Sequence, residues 1–124
     1  MSTAERSRWR LRVRAQHRAR VYRVDDDGRE HNIEATSGRG TIEVTLPRSL
    51  DARVELETAY TEGYGRRTRI DSDWTLERSE SADWESENGN TPRKFVRAIG
   101  TVGRGRGLIR ISTVNGDVVV RRAK

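Results

Sequence analysis

The stretch GLIRISTVNGDVVVRR, residues 107–122, limits the fold of this chain more than any other part of it. Ile109, Ile111 and Thr113 alternate with Leu108, Arg110 and Ser112. Asn115-Gly116 interrupts, and Val118 and Val120 then resume the alternation. Successive strand side chains point to opposite faces, so a period of two builds one apolar and one polar face. Asn-Gly turns sharply because both residues tolerate positive φ. As a hairpin with a type I′ turn, Thr113 faces Val118 and Ile111 faces Val120. A corner between stacked strands keeps the same residues inward, so the pattern admits either arrangement.

The same period recurs along the chain. In RWRLRVRA (8–15), Trp9, Leu11, Val13 and Ala15 alternate with Arg8, Arg10, Arg12 and Arg14. Strands are also expected at RARVYRV (18–24), REHNIEA (29–35), TIEVTLP (41–47), ARVELETAY (52–60) and KFVRAIGTV (94–102), with a short strand or edge at TRIDSDW (68–74). Asp25–Gly28 reads as a solvated hairpin turn, and Ser37–Gly40 and Gly103–Gly107 as breaks. Residues 75–93 lose the alternation and read as a long acidic loop, with room for a short helix or an irregular strand. RGTIEVT (39–45) and RGLIRIS (106–112) echo each other weakly. No segment has a three-turn helical pattern, so the expected class is all-β, with eight to ten short strands.

Hydrophobic residues are 32% of the 124 and charged residues 35%, which suits one domain with a thin core. The absence of cysteine excludes disulfides and thiolate zinc sites. No apolar run is long enough for a membrane span, and the first ten residues lack the apolar core of a signal peptide. The net charge of +6 is unevenly distributed. Residues 1–24 carry +7, 25–70 carry −3, 71–87 carry −6 and 88–124 carry +8.

Several patterns suggest chemistry and fall short of it. Asp25, Asp27, Gly28 and Glu34 match a calcium loop of the EF-hand type, but Arg23 holds the first ligand position and Glu30 the aliphatic one. GRGRG (103–107) lacks the helix and the Lys-Ser/Thr pair of a phosphate loop. His17 and His31 have no metal-ligand spacing and read as surface residues. Trp74, Trp84, Tyr60, Tyr64 and Tyr22 read as core or edge cover, and Trp74 and Trp84 flank the acidic loop, where a carbohydrate or protein could contact them. Arg8, Arg10, Arg12 and Arg14 form the one candidate polyanion site, since a ladder of guanidiniums can track phosphates. Trp9 alternates onto the opposite face, and an Arg–carboxylate cross-strand face is the favoured reading of the ladder.

GRGTIEVTLPRSLDARVELETAYTEG, then IDSD, then IGTVGRGRGLIRISTVNGDVVVRR resembles a bacterial adhesin-type family of domains of unknown function, best over residues 35–122. The resemblance implies stacked short strands in a β-solenoid-like body, with an antiparallel β-sandwich as the alternative. It implies an extracytoplasmic or membrane-associated setting, although no export signal or anchor is read here, and it carries no catalytic residues. The expectation is one domain over 1–124: basic N-terminal strands at 1–34, the adhesin-like region at 35–122 and the acidic loop at 75–93. Its expected role is a non-enzymatic structural or adhesion-type interaction module without cofactor or metal. Its partner would be a protein or surface, or a second copy through edge strands at the two termini. A basic module binding nucleic acid or another polyanion is the alternative.

Overall fold

The computed structural model describes residues 20–23 (backbone only), 32–36, 40–86 and 91–123. Nine strands are described: β1 Arg20–Arg23, β2 Asn32–Thr36, β3 Ile42–Leu46, β4 Ala52–Thr61, β5 Ile70–Ser72, β6 Glu77–Glu80, β7 Arg93–Val102, β8 Gly107–Val114 and β9 Val118–Arg122. One 3-10 turn, Glu62–Tyr64, is the only helical element among the described residues. The all-β class read from the alternation is the class observed, and none of the described helical segments is long and apolar enough to cross a membrane.

The strands form a four-stranded sheet, β1-β3-β9-β5, and a five-stranded sheet, β2-β8-β4-β7-β6. Parallel strands cannot be joined by a tight turn and need a crossover. Here a strand of the opposite sheet supplies it, because the chain passes from β2 to β3 to β4 to β5 by changing sheet each time. Five pairings are parallel, while β7 runs antiparallel to both β4 and β6.

The sixteen residues of the motif hold the centre of both sheets. β8 lies between β2 and β4, and β9 lies between β3 and β5. The inward positions form continuous rows: Ile33–Ile109–Val54 and Ala35–Ile111–Leu56 in one sheet, and Ile42–Val118–Ile70 in the other. These residues are buried in one apolar cluster, with Tyr60, Trp74, Leu76 and Val102 packed against it. Side chains of similar length in register let two short layers exclude water with few residues, which is how a lean composition suffices.

One open alternative closes and three expectations change. Asn115-Gly116 is a corner between the sheets and not a hairpin loop: β8 and β9 do not pair, and of the two residues only Asn115 has positive φ (51°), whereas a type I′ turn needs both. β1 and β2 do not pair with each other, since β1 pairs with β3 and β2 with β8, and the expected turn at Asp25–Gly28 lies outside the described residues. The acidic segment contains β6, a strand without alternation because all four of its residues are exposed. The C-terminal strand is not an edge, because β9 is paired on both sides by β3 and β5. The echo between residues 39–45 and 106–112 buries aliphatics in both copies, but β3 and β8 lie in different sheets and are not stacked equivalents.

Candidate functional site

The Asn-Gly-Asp corner is a polar joint between neighbouring chain crossings. Asn115 takes the left-handed conformation, which Asn tolerates better than most residues, and is buried. Its Oδ1 accepts from Thr61 N at 2.9 Å and its Nδ2 donates to Thr61 Oγ1 at 3.1 Å. Gly116 lies against the backbone of Gly40 and Thr41, where a side chain has no room. Asp117 accepts from Arg69 N at 2.9 Å and from the Arg66 guanidinium at 3.1 and 3.3 Å. Thr58 Oγ1 donates to Gly116 O, and Thr113 Oγ1 to Gly40 O. The Thr-x-Asn-Gly-Asp pattern is therefore structural: each of its polar groups is used in stacking one crossing on the next.

The GRGRG loop does cradle an anion, and the anion is the chain's own Asp51. Asp51 Oδ1 accepts from Arg104 N at 2.7 Å and Arg106 N at 3.3 Å, and Oδ2 meets Arg106 Nε at 3.1 Å. Gly103 and Gly105 have φ of 67° and 73°, which let consecutive N–H groups converge on one carboxylate. Desolvation pushes this carboxyl up. The N–H groups of Arg104 and Arg106, the Arg106 charge and the Gly105 N–H outweigh it and bring it below its ordinary value. The site that resembles a phosphate loop is already filled from within.

The outer face of the five-stranded sheet is a lattice of opposite charges. Register places Glu34, Arg110, Glu55 and Ile99 in one row and Thr36, Ser112, Glu57 and Arg97 in the next. Glu55 is shared by Arg53 at 3.0 Å and Arg110 at 3.2 Å, and Arg97 Nε meets Glu57 at 2.8 Å. The Arg53 hydrogen bond is the main cause holding the Glu55 carboxyl below its usual range; desolvation opposes it and Arg110 adds to it. A shallow depression of ≈ 340 Å³ lies over these residues, with Ile99 41% exposed beside them. Exposed pairs of this kind contribute little stability individually, about 0–1 kcal/mol.

At the open edge between β5 and β6 the balance of charge differs. A cleft of ≈ 520 Å³ is lined by Arg66, Arg67, Arg69 and Arg78, with Glu80 as its one carboxylate and Thr68, Ile70 and Val96 on its walls. Arg67 pairs with Glu80, and Arg78 Nη1 donates to Ile70 O at 2.5 Å, covering a carbonyl of the edge strand. Arg66 stacks on Tyr64 at 5.1 Å while holding Asp117, and that hydrogen bond raises its own proton affinity. Among the described residues no carboxylate pairs with the Arg69 guanidinium. The Thr68 hydroxyl is buried and has no hydrogen-bond partner among them. The basic run Arg66-Arg67-x-Arg69 was a visible signal of this cleft. Arg78 and Glu80 were hidden in the segment read as a loop.

Trp84 stands near the cleft. It is 39% exposed, with Tyr60 edge-on at 5.7 Å and Lys94 over its ring at 5.0 Å. Lys94 precedes Val96 of the cleft wall by two strand positions, about 7 Å. Trp74, by contrast, packs on the core. Arg8, Arg10, Arg12 and Arg14, with Trp9, His17, His31 and Asp25–Asp27, lie outside the described residues. No group of three metal-ligating side chains occurs among the described residues. No protein-family model, curated protein or solved structure matches the chain.

Proposed function

We propose that this chain is a non-enzymatic, adhesion-type interaction module: a β-solenoid-like stack that presents fixed strand faces and one edge cleft to a partner. The solenoid-like reading is supported by the chain's alternation between two sheets in parallel register. The observation that carries the functional reading is the pairing of surface charges within the domain: Arg53 and Arg110 with Glu55, Arg97 with Glu57, Arg106 with Asp51 and Arg66 with Asp117. Asp51, Glu55 and Arg66 are each shifted toward the charged form by hydrogen bonds and charges within the domain. A general acid or base needs a group poised to change protonation near the working pH, which desolvation or like charge produces. These groups are instead committed to holding the surface in shape, which suits recognition.

The test pairs two measurements on the purified chain. Surface plasmon resonance over immobilised glycans, proteins and DNA is expected to give saturable retention on at least one surface. Nitrophenyl esters, glycosides and phosphates are expected to show no turnover above the buffer rate. Turnover that disappears in Glu55→Gln or Glu57→Gln would overturn the reading.

A further inference from the structure

We infer that the cleft between β5 and β6 binds an acidic polysaccharide, a chain of sugar rings bearing carboxylate or sulfate groups. The inference deepens the interaction-module reading and rests on it. Four guanidiniums line this cleft with a single lining carboxylate: Arg67 holds that Glu80, Arg66 holds Asp117 and Arg78 the Ile70 carbonyl, while on the strand faces Arg97, Arg110 and Arg121 pair with carboxylates of neighbouring strands. Guanidiniums present planar forks of donors that match carboxylate and sulfate oxygens. Arg69 has no ion-pair partner among the described residues, so its donors are available without breaking a pair. Arg67 and Arg78 can exchange Glu80 and the Ile70 carbonyl for ligand oxygens.

The wall of the cleft is closed at Thr68. Only 1% of the residue is exposed, and nothing among the described residues bonds to its hydroxyl. Buried hydroxyls without partners are uncommon, and a trapped water beneath the cleft wall would satisfy this one. Trp84 then supplies what a sugar needs beyond its charge. Its exposed ring, with Lys94 of the cleft-wall strand over it, offers an aromatic surface beside the cationic one.

Charge spacing separates this ligand from nucleic acid. Duplex DNA carries a negative charge about every 1.7 Å along its axis and demands a continuous basic track. Here the basic cleft is short, with Glu80 in its lining. A polymer with one acid per sugar can place its charge among the arginines and pass this carboxylate with neutral ring surface.

The experiment is isothermal titration of the full chain with an oligogalacturonate, a sulfated oligosaccharide, a neutral dextran oligosaccharide and a twelve-base-pair DNA. Saturable binding of one or both acidic oligosaccharides is expected, with none of dextran. Arg69→Glu should weaken it about tenfold or more, and Trp84→Ala severalfold. Arg48→Glu makes the same charge change on the exposed turn before β4 and should move the affinity less than about twofold. Circular dichroism of each variant establishes that the fold is retained. The two acidic probes distinguish carboxylate from sulfate recognition. Failure of both to bind, equal loss with Arg48→Glu, or tighter binding of DNA would each overturn the assignment. None of these outcomes produces substrate turnover, so failure here is distinguishable from failure of the interaction-module reading.

Discussion

Replacing Gly116 with alanine should be among the most damaging single methyl additions in the described part of this protein. A Cβ at 116 would lie 2.1 Å from the Gly40 carbonyl carbon, 2.2 Å from Gly40 O and 2.5 Å from Thr41 N. Every one of those atoms is backbone, so no side chain can swing aside. Carbon atoms rest about 3.5–4.0 Å apart, so the two corners must separate by about 1.4 Å or more. Four hydrogen bonds cross that gap: Gly40 N to Val114 O at 3.1 Å, Ile42 N to Asp117 O at 2.9 Å, Asp117 N to Thr41 Oγ1 at 3.1 Å, and Thr113 Oγ1 to Gly40 O. The separation takes them beyond hydrogen-bonding range. At about 1 kcal/mol net for each bond, and more where a buried group stays unsatisfied, the loss is about 3–5 kcal/mol. Domains of this kind are stable by about 5–15 kcal/mol. With a urea slope of about 2 kcal/mol per molar, the unfolding midpoint should fall by about 2 M. Gly63→Ala is the control, since nothing lies within 4 Å of its Cβ, and it should stay within about 1 kcal/mol of the parent chain. A Gly116→Ala midpoint within about 0.5 M of the parent, at unchanged slope, would refute the stacked-corner account.

Asn115→Ala should destabilise more than Asn115→Gly: both lose the Thr61 bonds, about 1–2 kcal/mol, while alanine adds the strain of positive φ, about 1 kcal/mol, and equal urea midpoints would contradict this. Asp51→Asn should lower stability in a pH-dependent way. The native carboxyl titrates below its ordinary 3.8, so its contribution is full above that value and is lost as pH falls through the native value. Melting curves of parent and variant should therefore converge on acidification, and a gap that widens below pH 3.8 would contradict the assignment. Deleting residues 107–124 removes a central strand from both sheets, so the cooperative unfolding transition seen by circular dichroism should disappear, and a truncated chain that keeps it would count against the topology. Gly100→Ala should be mild, under about 1.5 kcal/mol by urea titration. The nearest atom to its new Cβ, at 2.7 Å, is the end of the Leu76 side chain, which can rotate.

The sequence by itself determined the strands and their inward faces. The alternation at Ile42, Val44 and Leu46, at Val54 and Leu56, and at Ile109 and Ile111 is a local property of side-chain direction, and each of these residues is buried. It was silent at β6, where four exposed residues leave no period to read, and that silence also hid Arg78 and Glu80 of the cleft. Only the tertiary structure decided which strands pair. Backbone hydrogen bonds carry no residue identity, and the inward Ile, Val and Leu of one strand fit beside those of several others. The insertion of β8 and β9 between earlier strands therefore leaves no local trace. The same holds for the GRGRG loop, whose glycines announce converging N–H groups, while the carboxylate they enclose, Asp51, lies some fifty residues away. Asn115-Gly116 shows the division most clearly. Composition required a sharp turn there, but whether the chain returned along its own sheet or crossed to the other depended on the Gly40–Thr41 backbone waiting against Gly116.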